Sequence, residues 1–222
     1  MGRKTIIGVG CSGGRMVNWM VHSGRIDSEF AAINTDRQEL ETCKVSVKLL
    51  IGERQTGGMG GMPPEFVEKA AEEAGRFIAG ICAGKESVII VAGLGAGTGT
   101  GAAPVVARIA KEQGCRTIAV VTRPFRFEGL FRRLKDAMGL VGLADHVDRL
   151  VTVPLGDLLP VLGRSISLRY AFDMGSIVVA KAVELLPSLD TTPGPENSEV
   201  VDVRAMLALV HRATERSGAS TY

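Results

Sequence analysis

The stretch from Val88 to Arg108, VIIVAGLGAGTGTGAAPVVAR, constrains the fold of this chain more than any other. Val88 to Val91 form a continuous apolar run, the pattern of a strand buried on both faces of a parallel sheet. From Gly93 to Gly101 every second residue is glycine, so the backbone N–H groups of this loop are little hindered. Ala102 to Ala110 has helical character, with Pro104 expected at an early helical position that needs no donor.

The order of strand, glycine loop and helix start predicts a phosphate site, because free N–H groups and a positive helix end would converge on an anion. A flexible turn is the alternative, but alternating glycines around Thr98 and Thr100 are more restrictive than a turn requires. A Cβ on Gly97 or Gly99 is expected to obstruct the phosphate, with little loss of folding if the backbone conformation permits alanine. The predicted phosphate contacts in this loop are Gly95, Ala96, Gly97, Thr98, Gly99 and Thr100.

A second glycine-rich turn follows a strand expected over Thr5 to Val9. Residues 8–14, GVGCSGG, contain a literal GxGxxG and lead into a helix expected to begin near Arg15. Asn34-Thr35-Asp36 stands about twenty residues later, as in dinucleotide-binding folds. A NAD-dependent oxidoreductase is therefore an alternative, although a dinucleotide fold needs only one such loop. The candidate residues of this region are Gly10, Cys11, Ser12, Gly13, Gly14, Arg15 and Asp36.

Composition excludes several other classes of protein. The formal net charge is +2, aromatic residues make up 5% and the basic residues are dispersed, so no nucleic-acid partner is expected. No apolar run is long enough to span a bilayer, which predicts a cytoplasmic protein without direct membrane insertion. The four cysteines are far apart and are expected to be reduced thiols, and neither they nor His22, His146 and His211 suggest a metal site.

Several segments resemble the tubulin/FtsZ family. GVGCSGGR, NTD and GLGAGTGTG occur in the family's order, in which all three serve one nucleotide. Residues 122–129, TRPFRFEG, resemble the family's TKPFxFEG segment, and residues 165–168, SISL, resemble the start of its central helix. The resemblance extends from Thr5 to about Gly218.

The resemblance implies a Rossmann-like α/β fold, with a mainly parallel sheet, helices on both faces and a long central helix. It implies a nucleotide-binding domain over 1–165, the central helix over 166–189, and an acidic loop with a terminal helix over 190–222. The family's second α/β domain would be absent. Pro187 is expected to kink or end the central helix. The remaining expected elements are a helix over Glu65 to Cys82, strands over Thr117 to Val121 and Leu150 to Val153, and a helix over Val201 to Arg216.

The resemblance also assigns ligand contacts. Gly60 and Gly61 lie in the segment that would cover the terminal phosphate, although a mobile surface loop is the simpler interpretation. Glu128 takes the place of the glutamate that contacts ribose, with Arg132 near the phosphates. Without the resemblance, these two would be a solvated i,i+4 pair. The implied ligands are GTP or GDP, with Mg²⁺ accompanying the triphosphate.

The base contacts depart from the family pattern. Family members recognise guanine through two asparagines and an Asn-Asp pair, where this chain has Arg15, Leu155, and Ser176 with Ile177. Phe172, the aromatic residue that stacks on the base, is retained, so low selectivity between purines is expected. Asn18, one turn after Arg15, is a candidate for restoring one polar contact.

Glu199 and Asp202 are the predicted catalytic residues. Residues 197–202, NSEVVD, resemble the family's NxDxxD loop, which supplies acids to the nucleotide of the next subunit. Two acids near a helix start could equally be capping groups. The resemblance thus implies a GTPase that assembles with itself or with full-length FtsZ in cell division. A non-hydrolysing regulator of FtsZ assembly and a pure interaction module are the alternatives.

Overall fold

Short apolar runs alternate with helical segments along the chain, and the computed structural model describes residues 3–163, 166–189 and 198–209. The strands are β1 Lys4–Val9, β2 Glu29–Asn34, β3 Val47–Leu50, β4 Ser87–Gly93, β5 Arg116–Arg123, β6 Arg149–Pro154 and β7 Ser198–Val200. The helices are α1 Gly10–Ser23, α2 Arg37–Glu41, α3 Glu53–Thr56, α4 Pro64–Glu73, α5 Gly75–Cys82, α6 Gly97–Glu112, α7 Leu130–Ala144, α8 Leu159–Leu162, α9 Leu168–Leu189 and α10 over 203–209.

Within the described residues, the strands form one seven-stranded sheet in the order β3-β2-β1-β4-β5-β6-β7. Every neighbouring pair is parallel. The chain moves outward from β1 in one direction through β2 and β3, and from β4 in the other. The crevice at the carboxyl ends of β1 and β4 is therefore the topological switch point, where ligands bind in open α/β sheets.

Both faces of the sheet are covered by helices. Residues of α4, α5, α6 and α7 pack with Ile7, Ile90 and Val121 on one face. Residues of α1, α9 and α10 pack with Ile6 and Val120 on the other. Strands buried on both sides need apolar residues at consecutive positions, which explains the apolar runs. The predicted fold class is confirmed.

Three predicted helix boundaries were wrong. Helix α1 begins at Gly10 rather than near Arg15, because its first turn contains only small residues that fit against the sheet. Helix α6 begins at Gly97, so Pro104 lies inside the helix and not at its start. The helix predicted over Glu65 to Cys82 is broken at Ala74, whose backbone leaves the helical region with φ −84° and ψ 4°. Helix α9 ends at Leu189, two residues after Pro187 and close to where this proline was expected to kink or end it.

The acidic segment also differs from its prediction, because residues 198–200 form an edge strand and not a loop. The expected terminal helix starts at residue 203 and is described as far as residue 209. Residues 190–197 and 210–222 lie outside the described part, so the domain division at 165, 189 and 222 stays a prediction. Among the described residues, no helix is both long and apolar enough to cross a bilayer.

Candidate nucleotide-binding site

The starts of α1 and α6 lie side by side in the crevice between β1 and β4. A Cβ built on Gly10 would lie 3.1 Å from the backbone nitrogen of Gly99. One built on Gly93, at the end of β4, would lie 2.7 Å from Cβ of Ser12. The structure thus brings together the two glycine loops that the sequence placed more than eighty residues apart.

The first turns of both helices present backbone donors. The first four N–H groups of a helix have no partner within it, and they carry the positive end of the helix dipole. In the described structure, no side chain caps either helix start. The residues of these turns are Gly10, Cys11, Ser12 and Gly13 in α1, and Gly97, Thr98, Gly99 and Thr100 in α6. Two adjacent uncapped helix starts are suited to hold several anionic oxygens.

Hydroxyl groups fix the glycine loop between β4 and α6. Thr98 and Thr35 share a hydrogen bond between their hydroxyl oxygens, 2.9 Å apart, and both residues are buried. The N–H of Gly95 donates to Oγ1 of Thr100 at 2.9 Å. Gly95 has φ +91°, a conformation that glycine adopts readily. The side chains of both threonines therefore support the loop and leave its backbone to face the crevice.

The glycines at the helix starts are required for close packing. A Cβ on Gly97 would lie 1.8 Å from the carbonyl oxygen of Met62, and one on Gly99 would lie 2.2 Å from that of Gly93. Both distances are impossible without a shift of the backbone. The condition under which alanine at Gly97 or Gly99 would leave folding nearly intact is therefore not met, because these α-carbons face protein backbone.

The loop before α4 lies against the start of α6 and near Asp36. Oδ1 of Asp36 accepts from the N–H of Glu39 at 3.1 Å, which caps α2. A Cβ on Gly60 would lie 2.9 Å from Oδ2 of the same carboxylate. Gly61 has φ +89°, with no atom within 4 Å of an added Cβ. Gly60 and Asp36 are thus neighbours, while Gly61 faces open space.

Cys11, in the first turn of α1, is half-buried. Its Sγ accepts from Nδ2 of Asn34 at 3.7 Å. Burial is the largest influence on this group and raises the pKa of the Cys11 thiol above its usual value. The side chain is therefore a neutral thiol at physiological pH, which adds no negative charge where phosphate would bind.

The residues predicted to surround the base lie around one small cavity of about 20 Å³. Its lining includes Ser12, Arg15, Thr122, Leu155, Phe172 and Ser176. A space of this size holds about one water molecule. A purine would therefore need the surrounding side chains to move outward.

Apolar packing fills the base side. Leu155 is buried, and its Cδ2 lies 2.5 Å from where a Cβ on Gly175 would be. Phe172 makes an edge contact with Phe125, with ring centroids 5.3 Å apart and planes at 82°. The hydroxyl of Ser176 donates to the carbonyl of Phe172 at 3.1 Å, so it is already used within α9.

Asn18 does not replace the missing base contacts. Its Oδ1 accepts from the N–H of Lys44 at 2.6 Å, and its Nδ2 donates to the carbonyl of Thr42 at 3.2 Å. Both polar groups fix the segment after α2, and Asn18 does not line the cavity. Its suggested role at the base was therefore wrong.

Glu128 and Arg132 form a local pair at the start of α7. Oε1 of Glu128 accepts from the N–H of Phe125 at 2.8 Å, and Oε2 accepts from Arg132 at 2.5 Å. The Glu128 side chain is largely buried while that of Arg132 is half exposed. The i,i+4 pair is thus present, and the ribose and phosphate contacts of these residues stay predictions.

Glu199 and Asp202 have structural partners of their own. Glu199 forms an ion pair with Arg149, the first residue of β6. Oδ1 of Asp202 accepts from the N–H groups of Arg204 and Ala205, at 2.9 and 3.1 Å, and so caps α10. The capping alternative therefore describes Asp202 in the isolated chain.

Two threonines of the site, Thr35 and Thr122, were not among the residues predicted from the sequence. Thr35 is fully buried behind the phosphate loop, and Thr122 lies at the end of β5 in the lining of the base cavity. Thr35 is the middle residue of the NTD motif, and Thr122 is the first residue of TRPFRFEG. Polar residues buried at the carboxyl ends of parallel strands are the signal that would have identified them.

Comparisons with known proteins identify the family of this chain. Residues 4–162 match the Tubulin/FtsZ family, GTPase domain. The chain is 43% identical over 217 residues to the cell division protein FtsZ of Buchnera aphidicola subsp. Schizaphis graminum, covering 97% of this chain and 56% of that protein.

Solved structures give the same result. The empty FtsZ dimer of M. jannaschii matches with a TM-score of 0.80 and 38% identity, over 92% of this chain and 60% of that chain. CetZ2 from Haloferax volcanii, solved as a GTPγS-bound protofilament, has a TM-score of 0.75 at 24% identity and supports the fold alone, over 87% of this chain and 60% of that one. The chain thus spans a little over half the length of these relatives.

Both glycine loops are accounted for by one family, which favours a single shared nucleotide over the NAD-binding alternative. This chain belongs to the tubulin/FtsZ family and contains its GTPase domain.

Proposed function

We propose that this chain binds GTP or GDP in the crevice between β1 and β4, and that it assembles with copies of itself or with full-length FtsZ in the cytoplasm during cell division. One observation carries the proposal: two uncapped helix starts meet at the switch point of the sheet. Backbone N–H groups and helix dipoles bind phosphate independently of side chains.

The residues present fit the phosphates better than the base. The first turns of α1 and α6 would hold the phosphate oxygens, with the Gly60 loop and Asp36 beside them. The described residues include no cluster of three or more potential metal ligands, so Mg²⁺ would enter with the triphosphate and be bound mainly by phosphate oxygens. When bound, the triphosphate would supply the reacting phosphoryl group, and Mg²⁺ would offset its negative charge. On the base side, Phe172 offers an aromatic surface while Leu155 offers no polar group.

Hydrolysis would be completed by a second molecule. Glu199 is paired in register with Val151 and bonded to Arg149, toward the amino ends of the strands, whereas the glycine loops lie at the carboxyl ends. Strands β5 and β6 separate β7 from β4, a distance of about 14 Å at the usual strand spacing. The two acids are therefore remote from the nucleotide of their own chain, and a head-to-tail neighbour would receive them.

A non-hydrolysing regulator is the second candidate, and one observation favours it. The ion pair with Arg149 and the capping of α10 already engage Glu199 and Asp202. Unless assembly releases these contacts, the acids position no water and the bound nucleotide persists.

Phosphate release measured against protein concentration tests the shared site. Turnover per molecule should rise with concentration and fall about 100-fold in Asp202→Asn. Asparagine retains the cap of α10 and removes only the charge, which Asp202→Ala would not do. Asp27→Asn, the same change at an exposed position of the amino-terminal edge of the sheet, is the matched control. Turnover that stays constant on dilution, or that survives Asp202→Asn, would contradict the shared site. Bound nucleotide without turnover at any concentration would favour the regulator.

A further inference from the structure

Helix α7 carries an apolar stripe on its solvent side. Phe131, Leu134, Met138 and Val141 follow one another at intervals of three, four and three residues, the spacing of a coiled-coil seam. The exposed fraction of Phe131 is 82%, and those of the other three lie between 55% and 69%. These four residues are called the outer seam of α7 below.

The opposite side of α7 is fixed to the domain. Asp136, Gly139 and Leu143 are buried there. Oδ2 of Asp136 accepts from Nε of Arg123 at 2.9 Å, which ties the helix to the end of β5. The helix therefore cannot rotate to bury the seam, and an exposed apolar stripe on a fixed helix is typical of an interaction surface.

An open groove borders the seam. It has a volume of about 550 Å³ and lies between α4 and α7, above the start of α6. Met138 and Val141 form part of its wall, so the seam and the groove are one continuous surface. Glu65 and Glu68 of α4 form the other wall. The groove is thus apolar at its base and acidic along one rim.

We propose that two copies of this chain pair through α7, with the two helices antiparallel about a two-fold axis. In that arrangement the amino-terminal half of each α7 faces the carboxyl-terminal half of the other. Phe131 of one copy then meets the groove beside Met138 and Val141 of the second. Every contact is made twice by symmetry, as in closed dimers.

Charge favours a second copy as the occupant. The amino-terminal half of α7 is basic, with Arg132, Arg133 and Lys135. Lys135 follows Phe131 by one helical turn and so lies on the same side of the helix. When Phe131 enters the groove of the second copy, Lys135 lies next to the acidic rim of that copy. The surface thus contains both the protruding side chain, Phe131, and the groove that would receive it.

The available area is sufficient for a dimer of moderate stability. The exposed parts of the outer seam and Leu130 amount to on the order of 600 Å² per copy. The groove walls raise this toward the roughly 800 Å² per partner of a standard interface. This pairing needs neither nucleotide nor the acids of β7, so it goes beyond the proposed head-to-tail assembly and can be measured separately from it.

Sedimentation of nucleotide-free protein with EDTA tests the pairing. Wild-type protein should show a concentration-dependent monomer–dimer equilibrium, and Phe131→Arg should weaken dimerisation about 30-fold or more, as expected for a central aromatic anchor. Phe77→Arg on α5, an equally drastic change at another exposed phenylalanine, should leave the equilibrium unchanged. A wild type that remains monomeric at high concentration would overturn the proposal, as would a dimer that Phe131→Arg leaves intact.

Disulfide cross-linking tests the antiparallel register. Leu134 of one copy should face Met138 of the other, so a mixture of Leu134→Cys and Met138→Cys should cross-link several-fold more than either variant alone. Wild-type protein controls for the four native cysteines. Charge reversal adds a second readout: Lys135→Glu should weaken the dimer and Glu68→Lys in the same chain should restore part of the loss. Single variants that cross-link better than the mixture would overturn the antiparallel arrangement.

Discussion

The phosphate side of the candidate site consists mainly of backbone groups, whereas the base side consists mainly of side chains. On the phosphate side, the first turns of α1 and α6 consist of small residues whose backbone N–H groups face the crevice. On the base side, the side chains of Leu155, Phe172 and Ser176 surround a cavity of about 20 Å³. Backbone recognition depends on glycines that the fold itself requires, because their α-carbons touch other backbone. Side-chain recognition has no such constraint, so one substitution can change the ligand without changing the fold.

The largest effect is expected from breaking the phosphate side with Gly99→Ala. The added Cβ would meet the carbonyl of Gly93 at 2.2 Å, so the start of α6 must move away from the end of β4. We expect a loss of about 1–3 kcal/mol in the free energy of unfolding, a melting temperature lower by about 5–10 °C, and nucleotide affinity reduced at least tenfold.

Gly80→Ala on α5 is the matched control, because nothing lies within 4 Å of its added Cβ. It should be neutral or stabilising by up to about 1 kcal/mol, since alanine is the better helix former. Calorimetric unfolding and nucleotide titration of both variants measure the difference. Equal melting temperatures for Gly99→Ala and wild type would show that Gly99 is not tightly packed.

A smaller effect is expected from a substitution on the base side, which should change the ratio of GTP to ATP affinity. Leu155→Asn places an amide in the lining that Phe172 shares, where Leu155 contributes only apolar side-chain atoms. A hydrogen bond to a buried base edge contributes roughly 1–3 kcal/mol, so the ratio of GTP to ATP affinity should rise about tenfold. Leu155→Ala, which opens the cavity without adding a polar group, should change both affinities and leave their ratio unaltered. Competition against a labelled nucleotide gives the ratio directly, and an equal rise in both variants would contradict the role of the amide.

The smallest effect concerns Cys11. Burial raises the pKa of this thiol, so at pH 8 it carries less thiolate than an exposed cysteine and should react slowly with N-ethylmaleimide. The rate should increase as the pH rises toward that pKa, and bound nucleotide should slow it several-fold because Cys11 belongs to the first turn of α1. The Cys11→Ser variant shows which part of the labelling comes from Cys11, because the other three cysteines remain in it. If bound nucleotide leaves the rate of labelling unchanged, the ligand lies away from α1.

The apolar runs predicted buried strands of a parallel sheet, because such runs have few structural solutions. The fold class and the meeting of the two glycine loops were implied by the resemblance to the tubulin/FtsZ family. The sequence did not predict that Gly97 and Gly99 face the backbone of Met62 and Gly93, since such contacts depend on how distant segments pack. For the same reason the hydrogen bonds of Asn18 to Thr42 and Lys44 were not foreseen. The boundary at Gly10 shifted because tertiary packing stabilises a helical turn that local propensity does not favour.

Calorimetric titration of nucleotide-free protein with GTP and with ATP tests the difference between the phosphate side and the base side most directly. Because the backbone would bind the phosphates, we expect both nucleotides to bind. Their affinities should lie within about tenfold of each other, because the base side should distinguish guanine from adenine by no more than about one hydrogen bond. Gly80→Ala should reproduce the wild-type values. Failure of both nucleotides to bind would contradict the phosphate site, and a preference for GTP of about a thousandfold would contradict the claim that the base side has lost its selectivity.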